Sequence, residues 1–138
     1  MNSNLLVILP IILPLTMAGF CAVFWLRPQW QRWVTLVGMT GMVMAAFALL
    51  AAVIGQGPMA TQPGNWAAPF GITVAADTLS ALAVAAAAIV AFCVAVFSFR
   101  GVDNNALHGG FFPLFCGLMV GVNGSFLTGD IFNLYVWF

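Results

Sequence analysis

Four long stretches of this sequence hold no charged residue, and nothing else constrains its fold as much. They run from about Leu5 to Leu26, Val34 to Ile54, Leu79 to Phe99 and Gly110 to Leu127. A hydrocarbon core about 30 Å thick is crossed by about 20 helical residues rising 1.5 Å each. Each stretch is therefore expected to be a membrane-crossing helix, since only helices and closed barrels satisfy their own backbone polar groups in lipid. Charge is correspondingly scarce: three arginines and three aspartates in 138 residues, with no lysine and no glutamate. A soluble domain carries about a quarter charged residues, so 4% cannot furnish a water-facing surface. Zero net charge and no basic cluster exclude nucleic acid as a partner and leave no polybasic stripe for an anionic lipid surface. The expected fold is an all-α integral membrane protein with four transmembrane helices and the start of a fifth at about Ile131.

All six charges lie beside the apolar runs. Arg27 and Arg32 follow the first, Asp77 precedes the third, Arg100 and Asp103 share a short link, and Asp130 follows the fourth. The Gly/Pro-rich connection from Gly55 to Gly71 is too irregular to be a span. No Lys or Arg precedes the first run, and that run is longer than a secretory core, so it is expected to be a retained helix rather than a signal peptide. The arginines all fall in the connections after spans one and three. The positive-inside bias then puts those connections in the cytoplasm and the amino terminus outside, in a cell inner (plasma) membrane. Trp25, Trp30, Trp33 and Trp66 are expected near the interfaces.

Pro10 and Pro14 lie one turn apart in the first span, and each removes a backbone donor, so a kink accommodated by neighbouring helices is expected. Small residues recur at helical spacing: Gly38 with Gly41, Ala87 with Ala91 and Ala95, and Gly117 with Gly121. They let helices approach closely, which implies a tight bundle or a partner protein in the membrane. Cys21, Cys93 and Cys116 lie within apolar runs without CxxC or Cys/His spacing, so they are expected to be buried free thiols, with no metal site and no cofactor. One histidine, no paired carboxylates within a span and no nucleophile beside a base disfavour an enzyme.

After the fourth span, Gly129 and Asp130 suit a turn and a helix N-cap. A helix from Ile131 to Phe138 reaches only about 12 Å, into mid-bilayer, where unpaired terminal carbonyls are costly. The expectation is that the sequence is the amino-terminal fragment of a longer protein. The rival reading takes Tyr135 and Trp137 as an interfacial anchor at a natural end.

Two segments carry a resemblance. GNWAAPFGITVAADTLSAL (64–82) and GVNGSFLTGDIFNLYVWF (121–138) resemble the D-type component of the multisubunit Mrp-type Na+/H+ antiporters, a relative of the proton-pumping subunits of complex I and membrane-bound hydrogenases. The paired prolines of LPIILPL resemble that family's first helix. The resemblance implies a larger bundle of about fourteen spans built on inverted five-helix repeats, of which this chain would be the beginning. It also implies a proton-carrying glutamate on the fifth helix, directly after the run matched by Val136, Trp137 and Phe138. That glutamate and the lysine it would pair with are absent from this sequence.

The polar residues that are present each have a plain reading beside a sharper one. Asp130 caps the fifth helix or takes up a cation or proton at its outer start. Asn133, three residues on, is expected on the same face and within reach of the same water or cation. Asn123 makes an interhelical hydrogen bond or lines a hydrated path. Asp77, in DTLS, caps the third helix, and His108 is an interfacial residue at the cytoplasmic edge or a site of proton uptake there. Arg100 is a snorkelling topology anchor. The expected function is a subunit of a monovalent cation (Na+ or K+)/proton antiporter, working with other subunits, protons, cations and the bilayer. The alternatives are a proton-pumping subunit of NADH-quinone oxidoreductase or a hydrogenase, and a small structural membrane subunit.

Overall fold

The computed structural model describes residues 3–63, 71–103, 106–107 and 109–137. Among the described residues, five helices carry the architecture: α1 (Ser3–Val23), α2 (Pro28–Gln56), α3 (Thr78–Gly101), α4 (Phe111–Leu127) and α5 (Ile131–Trp137). Between α2 and α3 the chain forms two short strands, β1 (Met59–Thr61) and β2 (Val74–Ala76), paired antiparallel with Met59 opposite Ala76. The all-α expectation holds, with one local addition: a short two-stranded ribbon whose first strand falls in the connection expected to be irregular.

Three of the helices, over Leu5–Val23, Pro28–Gln56 and Thr78–Gly101, are long and apolar enough to cross a membrane, while α4 is a shorter apolar helix of 17 residues. The first connection is shorter than expected. Residues 24–26 make a turn and α2 begins at Pro28, ahead of the expected Val34. Proline suits this first helical position because its missing N–H would have had no helical acceptor. Arg32 and Trp33 therefore belong to the opening turns of α2 and not to the connection.

The helices are arranged as lipid, rather than water, requires. The buried stripe of α3 is Ala81, Ala85, Ala88, Ala91 and Ala95, whereas Leu79, Leu82, Ile89, Val90, Val96 and Phe97 face outward. Small residues meet protein and large apolar ones face away, because side-chain size governs how closely helices approach when the solvent is itself apolar. α2 lies against both α1 and α3, and α1 against α4. Met39, Met42, Ala46 and Leu49 of α2 join Val7, Ile11, Val84, Ala88 and Met119 in one core. Gly38 seats the Met17 side chain, which occupies the space a Cβ would need. Its expected partner Gly41 meets nothing. One cysteine also departs from expectation: Cys21 and Cys116 are buried, but Cys93 is exposed on α3.

Candidate ion pathway

Among the described residues the buried polar side chains are few: Gln31, Thr35, Thr61, Ser98, Asn123 and Asn133. Asn123 of α4 is fully buried and donates from Nδ2 to the carbonyl of Pro10 at 2.7 Å. The sequence of α1 explains the demand for this donor. In a helix the Pro10 carbonyl accepts from the N–H four residues on, and that residue is Pro14, which has none. Asn123 supplies the missing bond from another helix. Its Nδ2 also lies 3.5 Å from the Met42 sulfur, so α1, α2 and α4 meet at this one amide. The Asn123 Oδ1 is buried with no partner among the described residues.

α5 is held against α4 by glycines. The Trp137 ring lies over Gly124 so closely that a Cβ there would overlap it, and the Trp137 carbonyl stands 3.0 Å from where a Gly121 Cβ would be. Of the expected Gly117/Gly121 pair, Gly117 meets nothing, so the contact pair on this face is Gly121 with Gly124. Asn133 is the buried residue of α5, and its Nδ2 has no partner among the described residues. Asp130 is exposed: its Oδ1 accepts from the Phe132 N–H at 3.1 Å, and its carbonyl accepts from the Leu134 N–H at 3.0 Å. These are the bonds of an N-cap. Asp130 and Asn133 thus share the first turns of α5, yet one turns outward and the other into the bundle.

Asp77 caps α3 in a reciprocal box, accepting from the Ser80 N–H at 2.7 Å while its own N–H donates to the Ser80 hydroxyl at 2.9 Å. The Ser80 backbone N–H, and after it the Ser80 side chain, hold the Asp77 carboxyl below its ordinary range. Asp77, Ser80, Ser125 and Thr128 line a cavity of about 570 Å³. A second cavity of about 300 Å³, bounded by Gly117, Gly121 and Trp137, shares Ser125 and Phe126 with it. The turn bearing Asp130 is tied to the same end: Gly129 N–H donates to the Thr73 carbonyl at 2.9 Å, and Thr128 bridges to Val74. Asp77 and Asp130 therefore sit at one end of the bundle, and Arg27, Arg32 and Arg100 lie toward the other, where α1 and α3 end and α2 begins. His108 and Trp66 lie outside the described residues.

Sequence reasoning missed a buried polar group at that other end. Gln31 donates from Nε2 to the carbonyls of Cys21 and Phe24, both at 3.1 Å, and so closes the carboxyl end of α1. Its signal was a glutamine one turn after Pro28, legible once α2 is known to start there. Thr35, one further turn along α2, is buried between Cys21 and Cys116.

Long apolar helices with large apolar side chains facing outward, helix contacts made through small residues of α3, and backbone groups satisfied within or between helices define a multi-pass, α-helical membrane protein. The sequence is 37% identical to the D-type component of the Na(+)/H(+) antiporter of Alkalihalophilus pseudofirmus over 135 residues, covering 98% of this chain and 27% of that protein. It is 37% identical to the D-type component of the probable K(+)/H(+) antiporter of Rhizobium meliloti over 144 residues, covering 96% of this chain and 25% of that protein. Among solved structures, a chain of the membrane-bound sulfane sulfur reductase, an archaeal respiratory membrane complex, superposes with a TM-score of 0.87 at 29% identity. That match covers 95% of this chain and 27% of the other. No protein-family profile matches the chain. Over nearly its whole length the chain is similar to the D-type component of cation/proton antiporters, and it spans about a quarter of the length of the relatives it matches.

Proposed function

We propose that this chain works as part of a multisubunit monovalent cation/proton antiporter, contributing to proton translocation across the cell membrane. The observation that carries the proposal is identity at the 37% level, over nearly the whole chain, with D-type components named for Na+/H+ and for K+/H+ exchange. α4 serves as a fourth span, since its 17 residues rise about 25 Å. α5 begins a fifth. The end of the bundle that carries Arg27, Arg32 and Arg100 faces the cytoplasm and the amino terminus faces outside. Asp77 and Asp130 then stand on the outer side, where the hydroxyl-lined cavity admits water, a proton or a monovalent cation. Asn133 and Asn123 offer unpaired buried amide atoms deeper in the bundle, suited to holding water. His108 would exchange protons at the cytoplasmic edge. Other antiporter subunits are the partners, and the chain acts as a transporter component and not as an enzyme.

The test uses the complete gene in its own complex. In everted membrane vesicles from cells carrying it, added Na+ or K+ should dissipate a respiration-generated proton gradient, and deletion of the gene should abolish that response. Unchanged cation-dependent proton flux in the deletion strain would sink the proposal. A second reading, a proton-pumping subunit of a respiratory complex, is favoured by the superposition on the sulfane sulfur reductase chain. It predicts that deletion lowers proton pumping driven by the respiratory substrate and leaves cation-dependent flux intact.

A further inference from the structure

At the end of the bundle away from Asp77 and Asp130, three helices bring together chemistry that transport does not use. Cys21 of α1 and Cys116 of α4 are both fully buried, although 94 residues separate them in the chain (116 minus 21, less one). Their thiols converge on one side chain, the Thr35 hydroxyl. The Thr35 hydroxyl of α2 lies 3.5 Å from the Cys21 sulfur and 4.0 Å from the Cys116 sulfur. α1 and α4 pack directly against each other, and the two sulfurs reach the same hydroxyl of α2 from either side of that contact. Leu107 and Phe112 cover the cluster with apolar surface. Cys93 is the third thiol and is exposed on a different helix.

We propose that Cys21 and Cys116 are a redox-sensitive pair whose two-electron oxidation joins α1 to α4 by a disulfide. The oxidant is a peroxide, small and uncharged enough to pass an apolar cover. Cys21 is the attacking sulfur, because the Thr35 hydroxyl that can donate to a thiolate lies nearer to it, at 3.5 Å, than to Cys116, at 4.0 Å. It attacks one peroxide oxygen, the O–O bond breaks, and a sulfenic acid and water form. The Cys116 sulfur then attacks the sulfenic sulfur, the S–O bond breaks, and the departing hydroxide leaves as a second water with the Cys116 proton. In sum, two thiols lose two electrons and two protons, and one hydrogen peroxide becomes two waters. Both sulfurs lie within 4.0 Å of the one Thr35 hydroxyl, so closing to the covalent distance of about 2.05 Å takes side-chain rotation and an approach of the two packed helices. Thr35 is a positioning residue that holds both sulfurs to one point.

The experiment treats the chain in membranes with hydrogen peroxide, blocks free thiols with N-ethylmaleimide in SDS, reduces, and then attaches a polymer-bearing maleimide that retards each newly freed thiol on a gel. Wild type and Cys93→Ser should both gain a doubly labelled band in the monomer, and dithiothreitol given before the block should erase it. Cys21→Ser and Cys116→Ser should lose it completely. Thr35→Val should form it more slowly and reach the same end point. Peptide mapping of oxidised wild type identifies the bond without any variant. An unlabelled wild type, label persisting in Cys21→Ser, thiols lost beyond recovery by reduction, or a bond that maps to Cys93 would each overturn the proposal.

Discussion

The bond between Asn123 and Pro10 makes a quantitative claim about how two distant parts of the chain depend on each other. Asn123→Leu keeps the branching and the number of side-chain heavy atoms, though its methyl groups are bulkier, and removes the donor that sits 2.7 Å from a fully buried carbonyl. Leaving such a group unpaired costs about 1–3 kcal/mol. Within membranes, coupled interhelical hydrogen bonds average about 0.6 kcal/mol and reach about 1.7. The substitution also deletes the unpaired Oδ1 of Asn123, which offsets part of the loss. About 1 kcal/mol of net destabilisation is therefore expected. Pro14→Ala changes the accounting, because Ala at position 14 has an N–H that reaches the Pro10 carbonyl along the helix. In that background Asn123→Leu removes only an amide with a redundant donor and an unpaired acceptor, and its cost should fall to zero or become slightly favourable. The assay is equilibrium unfolding of the four proteins of this cycle by SDS in mixed micelles, followed by circular dichroism. A coupling of about 1 kcal/mol is a five- to sixfold change in the unfolding equilibrium. If Asn123→Leu costs the same with proline or alanine at position 14, within about 0.3 kcal/mol, the claim that Asn123 substitutes for the missing N–H is wrong.

Other perturbations separate contacts that look alike in the sequence. Gly124→Ala drives a Cβ into the rigid Trp137 ring and should cost about 1–3 kcal/mol by overpacking, whereas Gly117→Ala meets open space and should stay within about 0.5 kcal/mol in the same unfolding assay. Gly38→Ala displaces a flexible methionine instead, so Met17→Ala should restore most of what it loses, measured in the double variant. Asp77→Ala removes the α3 cap and should destabilise the chain more than Asp77→Asn, which retains a capping oxygen. Because the folded carboxyl is held below its ordinary value, its contribution is complete above the unfolded-state value and is lost as pH falls through the folded one. The gap between wild type and Asp77→Ala should accordingly be full at neutral pH and close only in acid, which unfolding midpoints across a pH series will show.

Much of the architecture was legible without coordinates. Apolar runs of spanning length, with every charge between them, expressed the requirement that a chain in lipid hide its charges and satisfy its own backbone. The N-capping positions of Asp77 and Asp130 were equally legible, because a cap is a local bond within a few residues. The start of α2 was misplaced for a physical reason. Two arginines and their polar and aromatic neighbours mark a boundary for lipid, but they do not stop a helix, and Pro28 starts one.

What the sequence by itself determined, then, is which segments enter the bilayer and which backbone group is left wanting: Pro14 dictates that the Pro10 carbonyl lacks its helical donor. The tertiary structure alone decided who answers. Asn123 reaches that carbonyl from 113 residues away, Gly124 rather than Gly117 receives Trp137, and Cys21 and Cys116 meet at one Thr35 hydroxyl. The reason is that these helices are apolar on every side, so their periodicity does not distinguish a face toward lipid from a face toward protein. In water the hydrophobic effect marks the inner face. In lipid that marking is gone, and the fit of small residues against large ones, resolved only when the helices are packed together, sets which side chains meet.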